Sequence, residues 1–246
     1  MSNHVRQIYV SGSGLPAWQA LLASPKTHWK RGNSAYELAV SWELAALSHE
    51  SGLPDGVSAI LSQSSDLNDA RVLFAIPEHK VAPPGTGRAS QTDVWALVRV
   101  RNGIVSLAVE GKAGEDFDLP ISSWLTAGTS DNSPANRKHR LDGICKELCL
   151  KTSPPDDLRY QLFHRTYSAV READRCGAAH SVMIVQSFGN PPNDHFTDFE
   201  KFAKFLGVAS VRKDRLYTVG QVGSSILHLG WIDCPLAKDD QVARVS

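Results

Sequence analysis

The chain has 246 residues, 42% hydrophobic and 21% charged, a balance that supports a packed core and argues against global disorder. Its 26 Lys and Arg offset 26 Asp and Glu, which counts against a nucleic-acid binder relying on overall charge but leaves room for a local basic cleft. Met1 to Gly14 carry no signal-peptide pattern, and no stretch reaches the roughly 18 apolar residues that span a bilayer, so neither export nor a membrane is expected.

In chain order, Ser11-Gly-Ser-Gly14 reads as a flexible turn, without the Lys-Ser/Thr of a phosphate loop. A helix is predicted over 34–47. Leu38, Ala39, Trp42, Ala45 and Ala46 share one face, Asn33 or Ser34 can cap it, and Glu37 lies in the first turn. Residues 71–76 read as a buried strand, and the Pro- and Gly-rich run after it as a loop. Strands are predicted over 92–100 and 104–112, joined by Asn102-Gly103, a strong hairpin signal. Helices over 134–150 and 157–175 follow, with the Lys151–Pro155 loop between them. Then come a buried strand over 180–188, a helix over 195–206 and a strand pair within 215–233.

This order describes a mixed α/β domain. No composition shift divides 1–246, so one domain is expected, with its core at about 34–190 and the helix and strand pair of 195–233 as an extension. Of the four cysteines, Cys145 and Cys149 fall four apart in a predicted helix, the spacing of core packing. A reduced, cytoplasmic protein is expected. The histidines show no zinc-ligand spacing, and no Gly-x-Ser-x-Gly elbow occurs.

A two-residue turn at Asn102-Gly103 pairs Val100 with Val105, Trp95 with Glu110 and Asp93 with Lys112. Side chains alternate across a strand. One face then carries Val94, Ala96, Val98, Val100, Val105, Leu107 and Val109 and packs inward. The other brings Asp93, Glu110 and Lys112 together at the open end. Two carboxylates at cross-strand range can share a divalent cation. The alternative is a cross-strand salt bridge between Asp93 and Lys112 at a solvated edge.

Thr92-Asp93 followed by Val109-Glu110-Gly111-Lys112, in this strand context, resembles the PD-(D/E)XK or restriction-endonuclease-like nuclease superfamily. Ser90-Gln-Thr-Asp93 and Arg159-Tyr-Gln-Leu-Phe-His-Arg165 resemble a bacterial branch of it. The resemblance covers roughly 34–190. It implies a restriction-endonuclease-like core of helix, three strands, helix and strand, with a mixed central sheet.

It further implies metal-dependent phosphodiester hydrolysis, in defence or DNA repair. Asp93 and Glu110 would bind Mg²⁺ or Mn²⁺ with the backbone of Gly111, and Lys112 would orient the nucleophile or stabilise developing charge. The resemblance also implies a further acid. Glu43 is a candidate that reads better as a solvated charge, and Glu78 is an equal one. Gln161 is a further catalytic candidate. It shares a polar stripe with Arg165, Ser168 and Glu172, equally readable as an exposed helix face. Arg137, Lys138, Arg140, Arg159 and Arg165 are candidate phosphate contacts against a default of a solvated face. The expected partner is nucleic acid, DNA before RNA, and a homo-oligomer is compatible with the sequence. The rival reading is a catalytically silent module on the same fold, binding nucleic acid or a protein partner.

Overall fold

The computed structural model describes residues 8–10, 14–85, 89–127, 133–189 and 193–245. Of the Ser11–Gly14 turn only Gly14 falls within them, at φ +63. Short helices α1 (Gly14–Gln19) and α2 (Pro25–His28) precede α3 (Ser34–Ser48) and α4 (Asp55–Leu61). A meander follows: β1 (Arg71–Val81), β2 (Ser90–Val100) and β3 (Gly103–Lys112). Next come α5 (Ile121–Thr126), α6 (Pro134–Glu147), α7 (Tyr160–Cys176) and β4 (His180–Phe188). The chain continues through α8 (Asn193–Phe205), β5 (Arg215–Val222), β6 (Ser225–Cys234) and α9 (Asp239–Val245).

The strands form one six-stranded sheet in the order β1-β2-β3-β4-β6-β5. β1, β2 and β3 pair antiparallel, β4 lies parallel to both β3 and β6, and β5 closes the far edge antiparallel to β6. The fold is therefore α/β with a mixed open sheet. β4 sends apolar side chains to both faces, Val182 and Ile184 one way and Met183 and Val185 the other, as a strand covered twice should. On one side α3 packs Leu38 and Trp42 against Val94, Val98, Leu107 and Val109. On the other, α7 and α8 pack Phe163, Phe199 and Phe202 against Ala108, Met183, Val185 and Trp231.

Three local expectations change. β1 runs on through Pro77 to Val81, which an edge strand tolerates because one side of its ladder is unpaired. Cys149 sits beyond the end of α6 at φ +56, exposed rather than in the core. The hairpin register also shifts. Val100 pairs with Gly103 and Trp95 with Ala108, so Arg101 and Asn102 form the turn. Arg101 is held there by its N–H to Asn68 O at 3.2 Å and its side chain to Asp69. Gly103 takes φ +151, open to it for want of a Cβ. The slip is two residues in the pairing, so each side chain keeps its face. Continued one step past Val94–Val109, it sets Asp93 opposite Glu110 instead of Lys112.

Candidate functional site

Three adjacent strands deliver the site. Glu78 lies in β1 between the pairs Pro77–Val94 and His79–Thr92, hence across from Asp93. It holds φ +55 within a strand, a strained conformation for a side chain with a Cβ. Asp93 in β2 faces Glu110 in β3, and all three are on the α7 side. Gly111, between Glu110 and Lys112, is on the α3 side. A Cβ there would fall 2.3 Å from Leu38 Cδ1 and 3.2 Å from Ser34 Cβ, so the missing side chain lets α3 approach the strand. Glu115, just beyond β3, accepts the Ser34 N–H at 3.1 Å and anchors the start of α3.

The fifth member of the cluster is Arg165. The polar stripe it shares on α7, left open between a site and an exposed face, turns inward: Arg165, Ser168 and Glu172 are all buried. Arg165 Nε donates to Glu110 Oε2, and its Nη2 donates to Asp93 Oδ1 at 3.1 Å. Lys112 Nζ lies 2.9 Å from Glu110 Oε1 and 4.8 Å from the centre of the Phe117 ring. Gly111 N–H donates to Asp93 Oδ2 at 2.8 Å. Gln91 Nε2 donates to Glu78 Oε2. The solvated salt bridge that rivalled the metal reading is thus replaced by a buried network, with Glu110 only 1% exposed.

Three acids against two bases leave the cluster short of positive charge. Burial, reinforced by Asp93, pushes the Glu78 carboxyl up to about 8. Burial and the neighbouring Glu110 push Asp93 up to about 6, against the pull of Arg165, Lys112 and the Gly111 N–H. Burial also acts to raise Glu110, but Arg165 and Lys112 outweigh it and hold that carboxyl below its usual range. Burial lowers His164 well below the usual imidazole value, with Arg165, Arg140 and Lys112 adding to it. His164 Nδ1 meets Ser90 Oγ and lies 3.3 Å from Arg165 Nη1.

A bridging cation would need the oxygens of Asp93 and Glu110. All four are engaged, two of them by Arg165, whose guanidinium stands between the carboxylates as a cation would. The donors are hard oxygens suited to Mg²⁺ or Mn²⁺. A divalent ion in Arg165's place would require the guanidinium to withdraw. As placed, no group of three or more His, Cys, Asp or Glu side chains among the described residues is arranged to hold an ion. Gly111 commits its N–H to Asp93, so of its backbone only the carbonyl oxygen could act as a ligand.

A profile for a domain of unknown function, DUF6946, matches residues 12–235. The chain belongs to the DUF6946 family. No curated protein and no solved structure matches it.

The DUF6946 span contains every other residue singled out from sequence, and the structure separates them. Glu43 is buried on the α3 side of the sheet, where it accepts the Trp18 Nε1–H at 2.8 Å; it does not join Asp93. Gln161 turns to the loop and accepts the Asp118 N–H at 3.1 Å. Lys138 is exposed and paired with Asp142 at 2.8 Å. Arg159 is paired with Asp198 at 2.7 Å. Arg137 and Arg140 are half-buried and lie over the rings of Trp124 and Tyr160. Arg165, assigned to phosphate from sequence, is committed to the two carboxylates. Tyr160 and His164 lie in the Arg159–Arg165 stretch that carries the resemblance but received no role from sequence, because an aromatic and a histidine in a helix read as core.

Proposed function

We propose that this protein is a metal-dependent phosphodiesterase acting on nucleic acid, with DNA as its partner, on a restriction-endonuclease-like core. The order α3, β1–β3, α7, β4 supports that core. The observation that carries the reading is the row Glu78, Asp93 and Glu110 beside Lys112, with Arg165 as stand-in cation. Burying charge in this excess costs stability and does nothing for packing, and such perturbed carboxyls cluster at functional sites.

When bound, the divalent ion supplies Lewis-acid polarisation of a phosphoryl oxygen. Asp93 and Glu110 would hold it, with Glu78 beside them. Lys112 stays fixed by Glu110 and Phe117, where it can orient water or offset charge developing on phosphorus. Arg165, released from the carboxylates, finds its replacement partner in the phosphate. The neighbouring α7 residues keep the site dry.

Calorimetry with Mn²⁺ and a cleavage assay on labelled single- and double-stranded DNA test the reading. Wild type should bind Mn²⁺ at millimolar concentration or tighter and cleave at least one substrate; Asp93→Asn should do neither. The engagement of all four carboxylate oxygens favours a second reading, a silent module in which Arg165 permanently replaces the metal. Wild type inert to Mn²⁺ and to every DNA would establish that second reading and sink the first.

A further inference from the structure

Beside the carboxylate cluster lies a stacked group of side chains in which three buried donor atoms lack a partner. Tyr160, at the first turn of α7, stacks on Trp124 of α5 with ring centres 3.6 Å apart and planes 9° from parallel. It is 3% exposed, and its hydroxyl is buried without a hydrogen-bond partner. Arg140 of α6 lies over the Tyr160 ring at 5.9 Å, and Arg137, one turn earlier, over Trp124 at 5.0 Å. The Nε atoms of both arginines are buried and equally unpartnered. Arg137 Nη1 reaches Trp124 O. After burial, the Arg140 guanidinium acts most on the Tyr160 hydroxyl, followed by Asp118, whose Oδ1 accepts the Leu119 N–H at 2.8 Å. Burial keeps the phenol protonated, up to about 12, so it remains a donor.

Buried donors left unpaired are rare and costly, and here three of them, two on α6 and one on α7, belong to one stacked group. Every one of them is a donor, and two are on guanidinium groups, the side chain best matched to a planar or tetrahedral oxyanion. We propose that Arg137, Arg140 and Tyr160 form a binding site for a phosphate group. The half-buried arginines provide the way in from solvent.

The site adjoins the cluster. The Tyr160 ring is 5.2 Å from that of His164, and His164 Nδ1 is 3.3 Å from Arg165 Nη1, which pairs with Asp93. Resting on the nuclease reading, the phosphate it takes is the one next to the scissile phosphate of a polynucleotide strand. Free phosphate or a phosphomonoester offers the same chemistry.

The test uses the full chain, in EDTA, with two probes: sodium phosphate against sodium chloride at equal ionic strength, and a short single-stranded oligodeoxynucleotide. Thermal melting and calorimetry are read for wild type, Tyr160→Phe and Arg140→Gln. Wild type should be stabilised by phosphate beyond chloride. Arg140→Gln should weaken binding about tenfold or more, the loss of one charge-assisted hydrogen bond. Tyr160→Phe should weaken it several-fold while the ring keeps its stacking on Trp124, so the ligand-free variant should stay folded. Oligonucleotide binding that weakens in step assigns the site to a strand; phosphate binding alone assigns it to a free phosphate or monoester. Wild type indifferent to both probes overturns the proposal, as does Tyr160→Phe binding like wild type. If the site binds as expected but Mn²⁺ brings no cleavage, the nuclease reading fails and the phosphate site stands.

Discussion

Replacing Arg165 by Met keeps an apolar stem reaching about as far as Nε and removes the one charge that bridges Asp93 and Glu110. Breaking a buried ion pair from one side costs about 3–5 kcal/mol, because the partner is left uncompensated. Here the low end applies. Lys112 still holds Glu110 at 2.9 Å, Gly111 N–H still holds Asp93 at 2.8 Å, and the Asp93 side chain is 22% exposed. About 3 kcal/mol at 2–4 °C each predicts a melting temperature roughly 6–12 °C below wild type at pH 8. Without the guanidinium, Asp93, already raised by burial and Glu110, loses a partner that pulls it down and rises further. A group raised in this way contributes stability at low pH that is lost as pH rises, so the deficit should shrink toward pH 5. A divalent ion that takes the vacated place should restore more stability to Arg165→Met than to wild type, by mass action. The assay is thermal melting from pH 5 to 8, with and without Mn²⁺. A variant within 2 °C of wild type at pH 8, or one that Mn²⁺ stabilises no better than wild type, refutes the idea that Arg165 occupies a cation's position.

Other consequences follow from the same geometry. Glu78, at about 8, is raised from 4.5, so it contributes stability below about pH 4.5 that fades as pH climbs to 8; Glu78→Gln should flatten that decline, and a melting curve against pH as steep as wild type's would contradict the assignment. Gly111→Ala places a methyl 2.3 Å from Leu38 Cδ1 and should cost about 1–3 kcal/mol by overpacking, with part recovered by Leu38→Ala in a double-mutant cycle. Lys112→Met should abolish cleavage while leaving DNA affinity within about twofold, since it removes an interaction made in the transition state; parallel loss of both would place Lys112 in substrate binding.

Alternation along β2 and β3 made the two faces of the hairpin readable, because side-chain direction in a strand is local. Val94, Val98, Leu107 and Val109 point where period two puts them. The register was not local. It depends on Asn68 and Asp69, which catch Arg101 from a different part of the chain, so turn residues alone misplaced the pairs by two. Nor was the second layer legible. The stripe of Arg165, Ser168 and Glu172 reads equally as an outward face or a site until the distant carboxylates that pair with Arg165 are known. Glu78 was marked as a candidate acid, yet its strand was read as ending before Pro77. The short helices α1, α4 and α5 are under two turns each, too brief for a periodic pattern.

The order in which the elements can assemble gives the meander a further property. β1, β2 and β3 are joined by short connections, so their contacts close early, whereas Arg165 lies 55 residues beyond Glu110 and reaches it only when α7 docks. For that interval Glu78, Asp93 and Glu110 face one another with Lys112 as their nearby cation. The half-built sheet is therefore an acid trap, easier to form when its carboxyls carry protons than when they are charged. Refolding of this chain should quicken as the medium becomes mildly acidic, and the docking of α7 is the step at which that advantage ends.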